Sequence, residues 1–356
     1  PALPKARRCE SASCGAVQRR VVSLQTPALP KARRCERSEM RRDRPSIKLP
    51  AKPIIPGNHT IMKLAVSTYS LAKWRRAENK TLEDTIDLIA DLDAHGIEFS
   101  GLDEGGVEDP IARARQLRKR VEKKRLNMAG YCTGAELLLP PKKQREAIEQ
   151  VKQHVDIAAA LGAANMRHDV TRGWDGYKQF KGKQTFTAAL KIVVPAIREI
   201  ADYAAERGVK TSLENHGFYM QAAKRIQKLQ DAVDHENFGL TIDLGNFLCV
   251  NDDPVEALKL LHGYMIHAHV KDFHVRPKNT IPPSGWMQTP TRIALRGAIV
   301  GHGDVDVIQQ LKLLKKYKYT GHLSLEFEGM EHPPLGVKHG LLFLRTELEK
   351  INALDK

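Results

Sequence analysis

The stretch AAERGVKTSLE, residues 204–214, contains the pattern that decides the fold. It begins as the end of a helix, passes through Gly208, and continues as a short apolar strand that closes on Glu214. A glycine at such a junction can take the left-handed conformation that ends many helices. The stretch therefore predicts a helix followed directly by a buried strand with a polar end.

The same order of helix end, glycine, apolar strand and polar end recurs along the chain. Four more copies are DAHGIEFSGLD (93–103), AALGAANMRHD (159–169), LLHGYMIHAHV (260–270) and YKYTGHLSLEF (317–327). Amphipathic segments such as TLEDTIDLIADLDAH lie between the strands, as expected of helices that cover a sheet.

Three further strands complete the pattern: MKLAVSTYS (62–70), LNMAGYCTG (126–134) and FGLTIDLGN (238–246). Eight strands that alternate with helices predict an α/β protein with a single-domain (β/α)8 (TIM) barrel. A doubly wound open sheet is the alternative. It is less favoured because no GxGxxG or GxxxxGKS/T motif follows any of the strands.

Residues 1–61 differ in composition from the rest of the chain. They hold 14 Lys and Arg against 4 Asp and Glu, and the segment PALPKARRCE occurs at 1–10 and again at 27–36. An Arg- and Pro-rich segment without strand or helix periodicity predicts a disordered tail, with the barrel in residues 62–356. One hypothesis is that Met62, next to the first strand, is the natural start and that the tail is upstream sequence.

Charge and cysteine content limit the classes of function. The tail carries +10 of the formal net charge of +15, so the body is close to neutral, which argues against a nucleic-acid partner. No apolar run approaches the ~20 residues that span a bilayer. The five cysteines form no CxxC pair, which predicts reduced thiols and a cytoplasmic protein.

Polar residues at the predicted strand ends are the candidate functional residues. All eight strands of a (β/α)8 barrel point their carboxyl ends at one mouth, where such enzymes place their catalytic groups. The fourth to eighth strands deliver, in order, Arg167, His168 and Asp169; Glu214, Asn215 and His216; Asp243 and Asn246; His267, His269, Lys271 and Asp272; and Glu326 and Glu328.

One group from each of four successive strands together suggests a metal site: Glu214, Asp243, His269 and Glu326. Three oxygen donors and one imidazole suit Mn²⁺, Mg²⁺, Co²⁺ or Zn²⁺. Each residue also has a structural interpretation, since a carboxylate at a strand end often caps a helix or joins a salt bridge. The coincidence across four strands favours one divalent metal ion.

The ordered motifs LENHG (213–217), IDLGN (242–246), HVKD (269–272), GHGDVD (301–306) and LSLEFEG (323–329) resemble those of a known superfamily. This is the xylose isomerase-like barrel superfamily, which contains sugar isomerases and epimerases and endonuclease IV-like proteins. The resemblance covers roughly residues 63–350. It implies that the four strand-end residues hold the metal, and that Glu214 and Glu326 also form the catalytic acid/base pair.

The resemblance further implies a metal-dependent isomerase or epimerase acting on a sugar, a sugar phosphate or a related keto-polyol. The reaction expected of such a site is proton abstraction with a cis-enediolate stabilised by the metal. Relatives often form dimers or tetramers, so a homo-oligomer that binds a small carbohydrate is expected. Substrate contacts are expected from Arg167, His168, His216, Asn246, Lys271, Asp272 and His302.

Two alternatives share this barrel. An endonuclease IV-like phosphodiesterase needs a three-metal cluster, but Asn246 stands where many relatives have a histidine, and VRPKNT follows HVKDFH without an Asp-x-His pair. A keto-sugar dehydratase or lyase would use nearly the same metal and base, and this alternative stays open. Segment 273–300 is long for a connection and is either a lid over the mouth or a packed surface excursion.

Overall fold

Eight parallel strands close into a barrel in the computed structural model, which describes residues 61–102, 108–174, 184–278, 280 and 284–355. Each strand pairs in parallel with the next, and the last pairs with the first. The barrel strands are β1 (Lys63–Ser67), β2 (Gly96–Ser100), β3 (Asn127–Thr133), β4 (Asn165–His168), β5 (Lys210–Glu214), β6 (Phe238–Asp243), β7 (Met265–Val270) and β11 (His322–Leu325). The predicted (β/α)8 barrel is confirmed.

Helices surround the barrel and bury their apolar faces against it. Several begin at a side chain that caps their free N–H groups: Thr81 and Asp84 form a capping box, and Asp109 and Asp253 each accept two backbone N–H groups. The helices are α1 (Ala72–Glu78), α2 (Leu82–Asp91), α3 (Pro110–Lys123), α4 (Pro141–Leu161), α5 (Phe186–Ala205), α6 (Ala223–Val233), α7 (Pro254–Leu261), α8 (Val307–Lys316) and α9 (Pro333–Lys350). Apart from residue 61, the predicted disordered tail lies outside the described residues.

Not every glycine at a helix–strand junction takes the left-handed conformation that the sequence pattern predicts. Gly162 and Gly208 take left-handed φ values of 82° and 68° after α4 and α5, as expected. Gly96 does not, and the left-handed residue after α2 is Asp93, with φ of 57°. A Cβ at Gly96 would lie 2.8 Å from the backbone oxygen of Asn127. Glycine is needed here because the backbones of β2 and β3 approach each other closely.

The segment after β7, for which the sequence left open a lid over the mouth or a packed surface excursion, forms a small three-stranded antiparallel sheet. Its strands are β8 (Asp272–Arg276), β9 (Met287–Gln288) and β10 (Ala294–Ala298), in the order β8-β10-β9. The guanidinium carbons of Arg276 and Arg296 lie 5.4 and 4.9 Å from the centre of the Trp286 ring. Whether this sheet covers a bound substrate stays a prediction.

Ser70 helps to close the barrel between its first and last strands. The buried Ser70 hydroxyl donates to the Leu325 carbonyl at 3.0 Å and accepts from the Phe327 N–H at 2.9 Å. These two backbone groups stand at the end of β11, next to Glu326. Ser70 therefore fixes the backbone on both sides of a candidate functional residue.

We expect Ser70→Ala to lower the free energy of unfolding by about 1–3 kcal/mol, because it leaves two buried backbone groups without a partner. Urea unfolding measures this. Thr346→Ala is the control, since its hydroxyl donates to the Leu342 carbonyl on the exposed face of α9; its effect should stay within about 0.5 kcal/mol. Equal effects of the two substitutions would contradict this account.

Candidate metal centre

Four predicted ligands meet at the carboxyl ends of β5, β6, β7 and β11. Glu214 and Asp243 are the last residues of β5 and β6, His269 lies near the end of β7, and Glu326 follows β11. All four side chains are buried, and one potential ligand atom from each lies within 4.8 Å of the others. The barrel thus assembles three carboxylates and one imidazole from residues far apart in sequence.

Asp243 uses its two carboxylate oxygens differently. Oδ1 accepts the N–H groups of Gly245 and Asn246, both at 2.8 Å, so it holds the turn after β6. Oδ2 is buried, has no hydrogen-bond partner among the described residues, and lies 3.5 Å from Lys271 Nζ. Asp243 is therefore both a turn-forming residue and a donor with one oxygen available for a cation.

Asn215 fixes the position of Asp243 through the backbone. Its side-chain amide donates to the Asp243 carbonyl at 2.9 Å and accepts the Asp243 N–H at 2.8 Å. Asn215, the residue that directly follows β5, therefore holds the end of β6 in a fixed position relative to β5. This explains why a fully buried asparagine directly follows the ligand on β5.

His269 presents one nitrogen to the carboxylates and the other to the barrel interior. Nδ1 lies 3.3 Å from Glu214 Oε1 and 3.4 Å from Glu326 Oε1. Nε2 lies 3.0 and 3.1 Å from the two carboxylate oxygens of Glu98. Nδ1 is thus the nitrogen that faces the candidate ligands Glu214 and Glu326.

Glu98 is the residue of this site that the sequence analysis missed. It lies within β2, in GIEFS, and its carboxylate is fully buried. Besides His269 it contacts His267, whose Nε2 is 2.7 Å from Glu98 Oε2 and 3.0 Å from Ser324 Oγ. The available signal was a glutamate between Ile97 and Phe99 in a strand otherwise suited to full burial.

Two cations, the buried Lys271 and the partly buried Arg167, accompany the carboxylates. Lys271 Nζ lies 2.9 Å from Glu326 Oε2 and 3.4 Å from Glu328 Oε1, in addition to its contact with Asp243. Arg167 places one guanidinium nitrogen 2.5 Å from Glu214 Oε2 and another 3.3 Å from Asp169. Both cations come from strand ends that the sequence singled out.

The donor set fits a divalent cation. Three buried carboxylates, those of Glu214, Asp243 and Glu326, contact two permanently charged cations, Arg167 and Lys271, so permanent positive charge is deficient among these groups. The free Oδ2 of Asp243 and Nδ1 of His269 point to the same place, and three oxygens with one imidazole suit such an ion. The residues present therefore match the metal that the family resemblance implies.

The pKa values reflect this crowding. Burial, together with the repulsion from Glu214 and Glu326, raises the pKa of Asp243 to about 6, and Lys271 offsets only part of this. Burial also acts to raise the pKa of Glu214, but Arg167 and His269 outweigh it and hold that pKa well below its usual value. Burial would lower the pKa of His269, but Glu98, Glu326 and Glu214 raise it well above its usual value.

Four predicted substrate contacts lie beside the metal ligands. Arg167 and Lys271 contact the carboxylates directly, as described above. The Asn246 amide donates to Glu214 Oε1 at 3.2 Å, and its oxygen accepts from Lys271 at 3.3 Å. His216 is half-exposed, with Nδ1 3.4 Å from Asp169 Oδ1.

The structure does not bring His168 and His302 to this cluster. His168 is next to Arg167 in β4, and because alternate residues of a strand face opposite sides, its buried ring lies 6.1 Å from that of Phe238. His302 is exposed and its ring is 6.3 Å from that of His339 on α9. Contact of either residue with substrate stays a prediction.

Asp272 organises the loop that contains the GHGDVD motif. Its buried carboxylate accepts four backbone N–H groups, from Phe273 at 2.8 Å, Gly301 and Gly303 at 2.9 Å, and Val305 at 3.1 Å. These bonds use the carboxylate oxygens that a substrate hydroxyl would need. The geometry supports a role in loop structure for this predicted substrate contact.

Comparison with known proteins identifies the family. The family model described as "Xylose isomerase-like TIM barrel" matches residues 86–347. The chain belongs to this family. The resemblance predicted from the strand-end motifs is thereby confirmed, and the matched region contains all four candidate metal ligands.

Two curated relatives are inosose dehydratases. The protein from Clostridium botulinum (strain Alaska E43 / Type E3) is 24% identical over 221 residues, which is 60% of this chain and 72% of the relative. That from Histophilus somni (strain 129Pt) is 26% identical over 194 residues, 52% of this chain and 65% of the relative. These relatives support an enzyme that modifies a sugar or polyol, without confirming an isomerase or epimerase.

Solved structures share the fold. The IOLI protein with a bound zinc atom has a TM-score of 0.62 at 17% identity, covering 82% of this chain and 98% of its own. A xylose isomerase-like TIM barrel protein from Mycobacterium smegmatis in complex with magnesium has a TM-score of 0.61 at 15% identity, covering 81% and 97%. Among the residues that the structure describes, no helix is long and apolar enough to cross a membrane.

We expect Asp272→Ala to lower the free energy of unfolding by about 3 kcal/mol, because four backbone N–H groups lose their acceptor. Asp304→Ala is the control, since this half-exposed carboxylate accepts one N–H group, that of Val275, and its loss should cost less. Urea unfolding compares the two. An Asp272→Ala protein of unchanged stability would contradict the role in loop structure.

Affinity for a divalent cation should fall as pH falls. The pKa of His269 is raised well above its usual value, so protons compete with the cation there, and below about pH 6 they compete for Asp243 as well. Each competing proton lowers the affinity about tenfold per pH unit. Titration against a chelator between about pH 5 and about pH 8 should show a slope that steepens at the acid end; a constant affinity would contradict the ligand assignment.

Proposed function

We propose that this protein is a divalent-metal-dependent dehydratase that removes water from a keto-inositol or a related keto-sugar. The ligand set supports a metal-dependent enzyme, and the curated relatives are inosose dehydratases. The observation that carries the choice of dehydration is the unequal surroundings of the two carboxylates, Glu214 and Glu326. Glu214 forms a salt bridge with Arg167, whereas Glu326 forms one with Lys271.

The metal would be held by Glu214, Asp243, His269 and Glu326. When bound there, it acts as a Lewis acid on the carbonyl oxygen of the substrate and makes the neighbouring C–H more acidic. The protein must then supply a base for that proton and an acid for the departing hydroxyl group.

Glu326 is the better base of the two carboxylates. Glu214 lies 2.5 Å from the guanidinium of Arg167, which opposes protonation of its carboxylate. Glu326 lies 2.9 Å from Lys271, an ammonium group that can exchange a proton with it. Burial acts to lower the pKa of Lys271, but Glu326, Asp243 and Glu328 outweigh it and raise that pKa well above its usual value. We therefore assign removal of the C–H proton to Glu326.

Lys271 is the proton donor for the leaving hydroxyl. Glu326 takes the proton from the carbon next to the carbonyl, the C–O bond of the next carbon breaks, and the hydroxyl leaves as water with a proton from Lys271. The proton on Glu326 then returns to Lys271 across the 2.9 Å contact. One water is lost, a carbon–carbon double bond forms, and both side chains regain their starting state.

An epimerase is the second candidate, as the family resemblance implied. Its supporting observation is that Glu214 Oε1 and Glu326 Oε1 lie at 3.3 and 3.4 Å from the same nitrogen of His269. Two carboxylates that flank one position suit removal of a proton on one face and its return on the other. In that case Glu214 would have to carry a proton despite Arg167.

A panel of keto-inositols and ketoses, incubated with the metal-loaded protein in D₂O, separates the two candidates. We expect one product that has lost a water by mass spectrometry and shows the absorbance of a conjugated enone. A product that keeps its water and carries solvent deuterium at an inverted carbon would instead identify an epimerase.

Lys271→Met tests the proposed acid without changing a metal ligand. We expect kcat to fall by about a hundredfold or more while bound metal stays at the wild-type level. Glu328→Gln is the matched control, since it alters a 3.4 Å contact of Lys271 outside the ligand set. Wild-type kcat in Lys271→Met would contradict the assignment.

A further inference from the structure

Glu98 stands on the opposite side of His269 from the candidate metal ligands. It belongs to β2, whereas the four ligands come from β5, β6, β7 and β11. Its contacts reach across the barrel interior to residues 169 and 171 positions away, His267 and His269. Its ion-pair contacts are therefore with two histidines of β7, the strand that carries the candidate imidazole ligand.

We propose that Glu98 is a positioning residue that fixes the ring orientation and tautomer of His269 for metal binding. Nε2 of His269 donates to Glu98 Oε2 at 3.1 Å, and Oε1 is 3.0 Å from the same nitrogen. With the proton held on Nε2, the lone pair of Nδ1 faces Glu214 and Glu326. A carboxylate behind an imidazole ligand also makes the ligand nitrogen more basic.

The backbone around Glu98 is adapted to this contact. The pairing of β2 with β3 shifts register between Ile97 and Glu98, and such a bulge re-aims the side chain that follows it. The facing residue on β3 is Gly130, where a Cβ would lie 3.2 Å from Glu98 Oε2. The strand pair therefore leaves space for a carboxylate in the barrel interior.

His267 supports Glu98 from a second direction. Its Nε2 is 2.7 Å from Glu98 Oε2 and 3.0 Å from Ser324 Oγ. Both imidazoles thus approach the same carboxylate, and their rings are nearly perpendicular, with centroids 5.5 Å apart. Two contacts to one carboxylate restrict its rotation, which in turn restricts the ring of His269.

A purely structural interpretation of Glu98 is the alternative. Removing any fully buried carboxylate that is paired with two imidazoles should lower stability, whatever its effect on metal binding. Stability alone therefore cannot distinguish the two roles. Metal affinity and the geometry at the metal can.

The test compares Glu98→Gln and Glu98→Ala with Ser324→Ala in the full chain. Ser324→Ala is the matched control, because it removes a buried side-chain contact of His267 and no side-chain hydrogen bond of His269. We expect the Glu98 variants to bind Zn²⁺ about 10- to 100-fold more weakly than wild type, with an altered Co²⁺ absorption spectrum. Ser324→Ala should bind within about twofold of wild type.

Equal Zn²⁺ affinity and an unchanged Co²⁺ spectrum in folded Glu98 variants would overturn the proposal and leave a structural role only. The inference rests on the proposed metal site but not on the proposed reaction. Wild-type protein that binds no divalent ion would refute the metal-dependent function itself, which is a separate outcome.

A measurement on the wild-type protein does not depend on the folding of any variant. Long-range ¹H–¹⁵N correlation spectra of the Zn²⁺-loaded protein report which ring nitrogen of each histidine carries a proton. We expect His269 to be protonated on Nε2 and bound to the metal through Nδ1. Metal on Nε2, or a proton on Nδ1, would overturn the proposal.

Discussion

The repulsion among buried carboxylates at the mouth of the barrel constrains the rest of the site. Glu214, Asp243 and Glu326 approach one another where little water can reach them, and such groups remain ionised only beside positive charge. Arg167 and Lys271 supply part of that charge from β4 and from the residue after β7. The remainder is what a divalent cation would provide.

This constraint also explains which residues surround the ligands. The hydrogen bonds of Asn215 hold the end of β6, and Ser70 holds the backbone beside Glu326. Asp272 forms four hydrogen bonds that hold the loop after β10. Ligand positions are therefore set by backbone contacts between neighbouring strands and loops, so that the barrel itself determines the spacing of the donors.

The fold and the meeting of the four candidate ligands could be predicted from the sequence because each depends on local patterns. The repeated order of helix, glycine and strand indicates the barrel, and Glu214, Asp243, His269 and Glu326 stand where successive strands end. Family resemblance then gave these residues their expected roles.

Glu98 could not be predicted in this way because it lies inside an apolar strand and makes its contacts with residues of β7, about 170 positions away.

The sequence also did not show which of two adjacent polar side chains points towards the candidate metal site. Arg167 and His168 are adjacent in sequence, yet only Arg167 reaches the carboxylates, because β4 turns the two side chains to opposite sides. The small sheet after β7 depends on pairing between short segments that carry no clear alternation.

Diffraction from crystals of the protein grown with Mn²⁺, recorded near the manganese absorption edge, tests the central claim most directly. The account predicts one anomalous peak per chain, bonded to Glu214, Asp243, Glu326 and Nδ1 of His269 at about 2.0–2.3 Å. A peak elsewhere, or a cluster of three ions at the barrel mouth, would contradict it.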